Sequence, residues 1–191
     1  PMIETVKIED DSFEEVFKNF NHFNYIFFTS VNGVNYFFEE FLKYGDIREL
    51  HDLKFVAIGN KTRKAINAKG IKVDFMPEQF AGEDGIKLLS KILVPSDRVL
   101  VPRAKNGRVE IVDELKKLAQ VKEIHIYDTV SKNSSISEVL DSYDNYKLVF
   151  TSASTFNNFN NIVKEDKSIY EKSQIVSIGP ITTKAIEDAG L

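Results

Sequence analysis

Residues 25–41 read "YIFFTSVNGVNYFFEEF". A four-residue apolar run ends on Thr29-Ser30, and Val34, Phe37, Phe38 and Phe41 then recur at helical spacing. Short, uniformly apolar runs suit strands buried on both faces of a parallel sheet. The stretch therefore predicts a strand, a sharp turn and an amphipathic helix. The same change returns at "VFTSASTFNNFNNIV" (149–163), which aligns without gaps to residues 27–41 and shares Phe28/Phe150, Thr29/Thr151, Ser30/Ser152, Asn35/Asn157 and Phe37/Phe159. A second pair, "FVAIGNKTRKAINAKGI" (55–71) and "IVSIGPITTKAIEDAGL" (175–191), has eight identities in 17 positions. The offset is 122 from Phe28 to Phe150 and 120 from Ile58 to Ile178. Two different motifs at nearly one spacing argue for a duplicated module, and the period is far too long for a solenoid.

Around these anchors strand and helix patterns alternate. Further strands are expected at "FVAIG" (55–59), "IKVDFMP" (71–77), "RVLVP" (98–102) and "EIHIYDTV" (123–130). Helices are expected at 61–69, closed by Gly70, at about 83–93 on Ile86, Leu89 and Leu93, and around Ile111, Val112, Leu115 and Leu118. The second module repeats strand (147–151), helix (about 153–164), strand (175–179) and helix (181–189). Alternation of this kind means α/β with parallel sheets. The polar "SKNSSIS" (131–137) is the best linker, giving a first lobe over 1–130 and a second, partial lobe over 137–191. In "EIHIY" regular alternation would point Tyr127 away from the face that holds Ile124 and Ile126.

Composition narrows the function classes. The 191 residues are 42% hydrophobic, ample for a packed core, with a net charge of −4. An acidic balance disfavours tracking of nucleic-acid phosphates. The absence of cysteine removes disulfides, thiolate catalysis and zinc-cysteine sites. No apolar run approaches the roughly 20 residues that span a bilayer, and "PMIETVKIED" lacks the features of a signal peptide, so a cytoplasmic protein is expected. His22, His51 and His125 are scattered without metal-ligand spacing, and "GNKT" lacks the glycines of a phosphate-binding loop. No metal or cofactor is expected.

Four strand-to-helix corners remain: Thr29-Ser30, Gly59-Asn60-Lys61-Thr62, Thr151-Ser152 and Gly179-Pro180-Ile181-Thr182. One reading is helix capping by the hydroxyls. The other uses the same geometry for binding, because strand carboxyl ends and helix amino ends share one edge of a parallel sheet and attract anions there. The implied ligand is a polyanion.

Taken together, "FFTSVNGVNYFF", "VAIGNKTRKAINAKGI", "VLVPRAKNGR", "IHIYDTV", "VFTSASTFNNF" and "VSIGPITTKAIEDAGL" resemble the uroporphyrinogen-III synthase family, in the family's order and over nearly the whole chain. The resemblance implies two flavodoxin-like parallel-sheet lobes joined by a two-stranded linker, here at about 3–9 and 127–136, with the active site in the cleft between them. It implies cyclisation of the linear tetrapyrrole hydroxymethylbilane to uroporphyrinogen III, with inversion of the last ring and loss of water, without metal or cofactor. The substrate carries many acetate and propionate groups. By the same resemblance Tyr127 matches a tyrosine that helps the hydroxyl leave, and Thr182 is taken as its catalytic partner. Thr29, Ser30, Asn32, Gly59, Thr62, Thr151, Ser152 and Gly179 match substrate-binding corners, with Arg103, Lys105 and Asn106 of "PRAKNG" meeting substrate carboxylates. A monomer is expected. The resemblance also implies a family member trimmed at both ends, with fusion to a methyltransferase of the pathway as one origin of the start at Pro1. The rival reading is a non-catalytic two-lobed receptor for an anionic small molecule, since fold alone does not decide function.

Overall fold

Four consecutive buried residues, Tyr25–Phe28, form strand β2, which has a parallel partner on each side. In this computed structural model β2 pairs in parallel with β3 (Lys54–Ala57) and with β4 (Arg98–Ala104), and β4 pairs in parallel with β5 (Gln120–Ser131). With β1 (Ile3–Lys7) the order is β1-β5-β4-β2-β3. The structure describes residues 3–10, 12–76, 83–107, 109–131, 136–164 and 168–191. Two compact units divide the chain: Thr5–Thr129, and Val130–Leu191 together with the residues before Thr5.

The period-2 pattern of the strands explains why the first unit has two apolar layers. Ile26, Phe28, Phe55, Ala57 and Leu100 face one cluster, with α1 (Ser12–Lys18), α2 (Val31–Phe41) and α3 (Gly59–Asn67). Tyr25, Phe27, Val56, Val99 and Val101 face the other, with α4 (Glu83–Ile92) and α5 (Glu110–Leu118). Helix α2 buries Val34, Phe37, Phe38 and Phe41, the residues that its spacing selects. Helix α1, with Phe13, Val16 and Phe17 buried, carries the same i, i+3, i+4 signal in a stretch left unassigned above.

Two expectations are corrected. The stretch 71–76 is not a strand; it contributes a single bridge, Phe75 to Val56. Asp74 explains this, because its carboxylate accepts the Phe55 N–H at 2.7 Å in place of a ladder carbonyl. Residue 77 lies outside the described residues. Secondly, Tyr127 packs in the same cluster as Ile124 and Ile126, not opposite them. Arg103 pairs with His125 but Ala104 pairs with Tyr127, so Ile126 is an extra residue in a β-bulge. A bulge breaks the alternation on which the expectation rested.

The second unit holds α6 (Ile136–Asp141), the parallel pair β6 (Tyr146–Phe150) and β7 (Ser173–Ser177), α7 (Ala153–Ile162), the short α8 (Ser168–Glu171) and α9 (Pro180–Asp188). Leu148, Phe150, Phe156, Phe159, Ile169 and Ile186 form its core. Val149 and Val176, on alternate positions of the two strands, are exposed. Most of the expected linker, residues 132–135, lies outside the described residues.

Candidate functional site

Because β2, β3, β4 and β5 run parallel, the residues that follow their carboxyl ends share one edge of the sheet. Ser30, Gly59, Thr62, Lys105 and Asn106 all fall there, and Tyr127, inside β5, is level with that edge because it pairs with Ala104, the last residue of β4. Ser30 caps α2: its backbone is extended and its Oγ accepts the Gly33 N–H at 2.9 Å. The same oxygen lies 3.0 Å from Tyr127 Oη. Tyr127 is 7% exposed, and its ring stacks on Tyr36 at 5.3 Å between centroids. Tyr36 is held in turn by β1, donating its hydroxyl to the Thr5 carbonyl at 2.9 Å. The bulge in β5 is what brings the tyrosine to Ser30.

Two hydroxyls in contact share one proton along the line between them. If Ser30 donates to Tyr127, the phenol keeps its own hydrogen for an outside acceptor; in the reverse arrangement the serine keeps it. The pair can therefore deliver one proton to a third group.

The turn after β4 is tied to the same strand end. Lys105 N donates to the Tyr127 carbonyl at 2.9 Å, and Asn106 Nδ2 donates to the Asp128 carboxylate at 3.0 Å. Lys105 and Asn106 are exposed. Arg103 faces inward instead, only 4% exposed, donating to Glu123 Oε2 at 2.6 Å and to the Gly107 carbonyl. Burial pushes the Glu123 carboxyl up, but Lys116 and Arg103 outweigh this and hold it below the usual range. Thr29 is half-buried and Asn32 exposed at the α2 corner.

The glycine corner of this unit is built differently. Gly59 opens α3 with φ +77°, a conformation that favours glycine, and Ile58 before it offers no side-chain cap. The Thr62 side chain is buried one turn in.

In the second unit Ser152 caps α7, its Oγ accepting the Thr155 N–H at 3.2 Å and touching Ser154 Oγ at 3.1 Å. Thr151 is exposed. Gly179 precedes α9 without a side-chain cap, and Thr182 is 4% exposed. Its neighbour Thr183 makes the hydroxyl contacts at this corner, to the Gly179 carbonyl at 3.2 Å and Ser177 Oγ at 2.7 Å. Thr183, Tyr36, Glu123 and Asp128 escaped the sequence reading. Only Thr183 carried a local signal, standing beside Thr182 in the first turn of a helix. Among the described residues no cluster of His, Cys, Asp or Glu could hold a metal, and no helix is long and apolar enough to cross a membrane.

A family model described as uroporphyrinogen-III synthase HemD matches residues 1–191. The chain belongs to the uroporphyrinogen-III synthase family. It is 27% identical over 179 residues to a protein of Methanocaldococcus jannaschii provisionally named uroporphyrinogen-III synthase, covering 90% of this chain and 72% of that one. It is 28% identical over 197 residues to the porphyrin biosynthesis protein HemD of Ruminiclostridium josui, covering 100% of this chain and 39% of that longer protein. The crystal structure of uroporphyrinogen-III synthetase from Helicobacter pylori shares the fold, with a TM-score of 0.68, 22% identity, and coverage of 100% of this chain and 81% of that one. Members of the family are cyclising enzymes of tetrapyrrole biosynthesis, and this chain is an enzyme of that class.

Proposed function

We propose that the chain closes hydroxymethylbilane to uroporphyrinogen III with Tyr127 and Ser30 as the proton-delivering pair. The observation that carries this is their 3.0 Å hydroxyl contact at the carboxyl edge of the sheet. In the first step the terminal C–O bond breaks. The pyrrole nitrogen supplies electron density, and the departing oxygen takes the proton of the hydroxyl pair and leaves as water. The electrophile left behind is attacked by the substituted carbon of the last ring, and the spiro intermediate reopens and recloses with that ring inverted. The ring carbon at which the macrocycle closes then loses its proton, which makes good the one given by the hydroxyl pair, so the net change is loss of one water. Unassisted closure gives the uninverted isomer, so most of the enzyme's work is holding the chain in a selected shape.

The substrate is polyanionic, and the glycine corners suit it. Helices α3 and α9 begin without a side-chain cap, so the N–H groups that their first turns leave unbonded, and their positive dipole ends, are available to carboxylates. In α9, where Pro180 has no N–H and Thr182 N donates to the Gly179 carbonyl, that donor is the Ile181 N–H. On this reading Gly59, Thr62, Gly179 and Thr182 hold one set of substrate carboxylates. Thr29, Asn32, Lys105, Asn106, Thr151 and Ser152 hold others. The two units are the products of one duplicated module, with β1 and the end of β5 as their connections. The enzyme works as a monomer in the cytoplasm.

Tyr127→Phe tests the reading. General acid assistance is worth about 10²–10⁴-fold. With fresh hydroxymethylbilane, turnover should fall about a hundredfold, at the lower end of that range, because substrate shaping survives. The product should stay mainly type III. Wild-type turnover in the variant removes Tyr127 from the mechanism, and a switch to type I product makes it a shaping residue instead.

A further inference from the structure

A guanidinium buried to 4% exposure is an unusual way to end a strand. An apolar side chain of similar volume often serves stability as well as a buried ion pair, so a retained charge asks for a geometric reason. The surroundings of Arg103 supply one. It is the last β4 residue in regular register before the bulge, paired with His125. From there its side chain grips β5 through Glu123, at 2.6 Å, and the far end of the following turn through the Gly107 carbonyl. Glu123 is anchored from a third element, since Lys116 of α5 reaches it at 2.7 Å. The turn closes on itself by Gly107 N donating to the Ala104 carbonyl at 3.2 Å. A Cβ on Gly107 would stand 3.1 Å from Arg103 Nη2 and 3.3 Å from the Ala104 carbonyl oxygen, so the fit leaves little room for a side chain there.

The turn is also the support of the tyrosine. Lys105 N holds the Tyr127 carbonyl, and Asn106 holds the next residue, Asp128. We propose that Arg103 is a positioning residue: it fixes the 104–107 turn, and through the Lys105–Tyr127 backbone bond it fixes the bulge that sets the Tyr127 hydroxyl on Ser30. Arg103 then acts without touching substrate. A planar fork can hold a carboxylate and a carbonyl together in one fixed geometry, which the single ammonium of lysine does poorly. The inference rests on the reading of Tyr127 given above.

Arg103→Lys keeps the charge facing Glu123 and removes the fork. The Lys105 amide, followed by hydrogen exchange, should lose protection while the amides of β2 keep theirs. Turnover with hydroxymethylbilane should fall about tenfold to a hundredfold with little change in KM, the scale of a small misplacement of a reacting group. Added to Tyr127→Phe, the substitution should cause no further loss. Unchanged exchange at Lys105 overturns the proposal whatever the activity. A raised KM with losses that multiply in the double variant also overturns it, because Arg103 would then meet substrate directly. The part played by Tyr127 is decided separately, by Tyr127→Phe alone. Should Arg103→Lys fail to fold, Gly107→Ala presses on the same contact from the other side. It should give the same change in Lys105 exchange to a smaller degree, and no change overturns the proposal.

Discussion

The Thr-Ser corners and the Ile-Gly corners solve the start of a helix in opposite ways. At Ser30 the backbone lies at φ −154°, ψ 155°, and at Ser152 at φ −156°, ψ 153°. In both, the side-chain oxygen accepts an N–H of the first turn. Neither α3 nor α9 has such a cap. A capped start has one fewer donor for an anion, while an uncapped one keeps its donors available. The serine corners are thus closed by their own side chains, and the glycine corners are not. The two serines are also unlike each other: Ser30 reaches Tyr127, whereas Ser152 meets Ser154 and Thr155 of its own helix.

That last difference gives the largest expected effect. Ser30→Ala and Ser152→Ala each remove a cap, worth about 1 kcal/mol. Ser30→Ala additionally leaves the buried Tyr127 phenol without its serine partner, adding about 1 kcal/mol. Denaturant unfolding should rank the two variants in that order, and Ser30→Ala should also lower turnover more. Equal losses in both would mean that the Ser30–Tyr127 contact contributes nothing.

Acid should separate the two units as well. In the first, Lys7 of β1 and Lys43 both pair with the buried Glu40 carboxylate. Burial pushes the Glu40 carboxyl up, yet these lysines outweigh it and hold it below its ordinary 4.5. Glu123 is lowered against burial in the same way by Lys116 and Arg103. A carboxyl depressed in the folded state stabilises fully above its unfolded value, and the contribution disappears as pH falls through the folded value. Amides around Phe28 and Ile126 should therefore lose exchange protection as pH drops below about 4.5, the unfolded glutamate value. In Glu40→Gln much of that sensitivity should be gone, at the expense of lower stability at neutral pH. Acid resistance unchanged by Glu40→Gln would remove the lysine pairing as its cause.

What could be read in the sequence was whatever depends on period or on a residue's own backbone preference. The apolar run at 25–28, the helix seam of Val34, Phe37, Phe38 and Phe41, and the positive φ of Gly70 are of that kind. The candidate hydroxyls of Ser30 and Tyr127 were legible as types at strand ends. Their meeting was not, because it depends on Ile126 being an extra residue opposite Arg103 and Ala104, and pairing across strands leaves no local mark. Asp74 misled for a similar reason. Its carboxylate replaces a backbone partner 19 residues away, so "IKVDFMP" keeps a strand's composition without a strand's ladder. Arg103 reads as an exposed cation in "PRAKNG" until Glu123 is placed beside it.

The smallest effect gives the sharpest test of the comparison. Gly179 has φ −153° and ψ 163°, close to the dihedrals of both serine caps, and a Cβ there would meet nothing within 4 Å. Gly179→Ser should therefore fit without strain and turn a glycine corner into a serine one. Glycine is itself a fair cap, so the gain in stability is only a few tenths of a kcal/mol. If α9 presents its Ile181 N–H to a substrate carboxylate, the new hydroxyl competes for that donor and KM should rise a few-fold while kcat holds. Gly59→Ser offers the contrast. At φ +77° a side chain is strained by about 1–2 kcal/mol, so that variant should lose stability where Gly179→Ser gains it. A Gly179→Ser enzyme that is slightly more stable with unchanged KM would show that the uncapped start of α9 binds no part of the substrate.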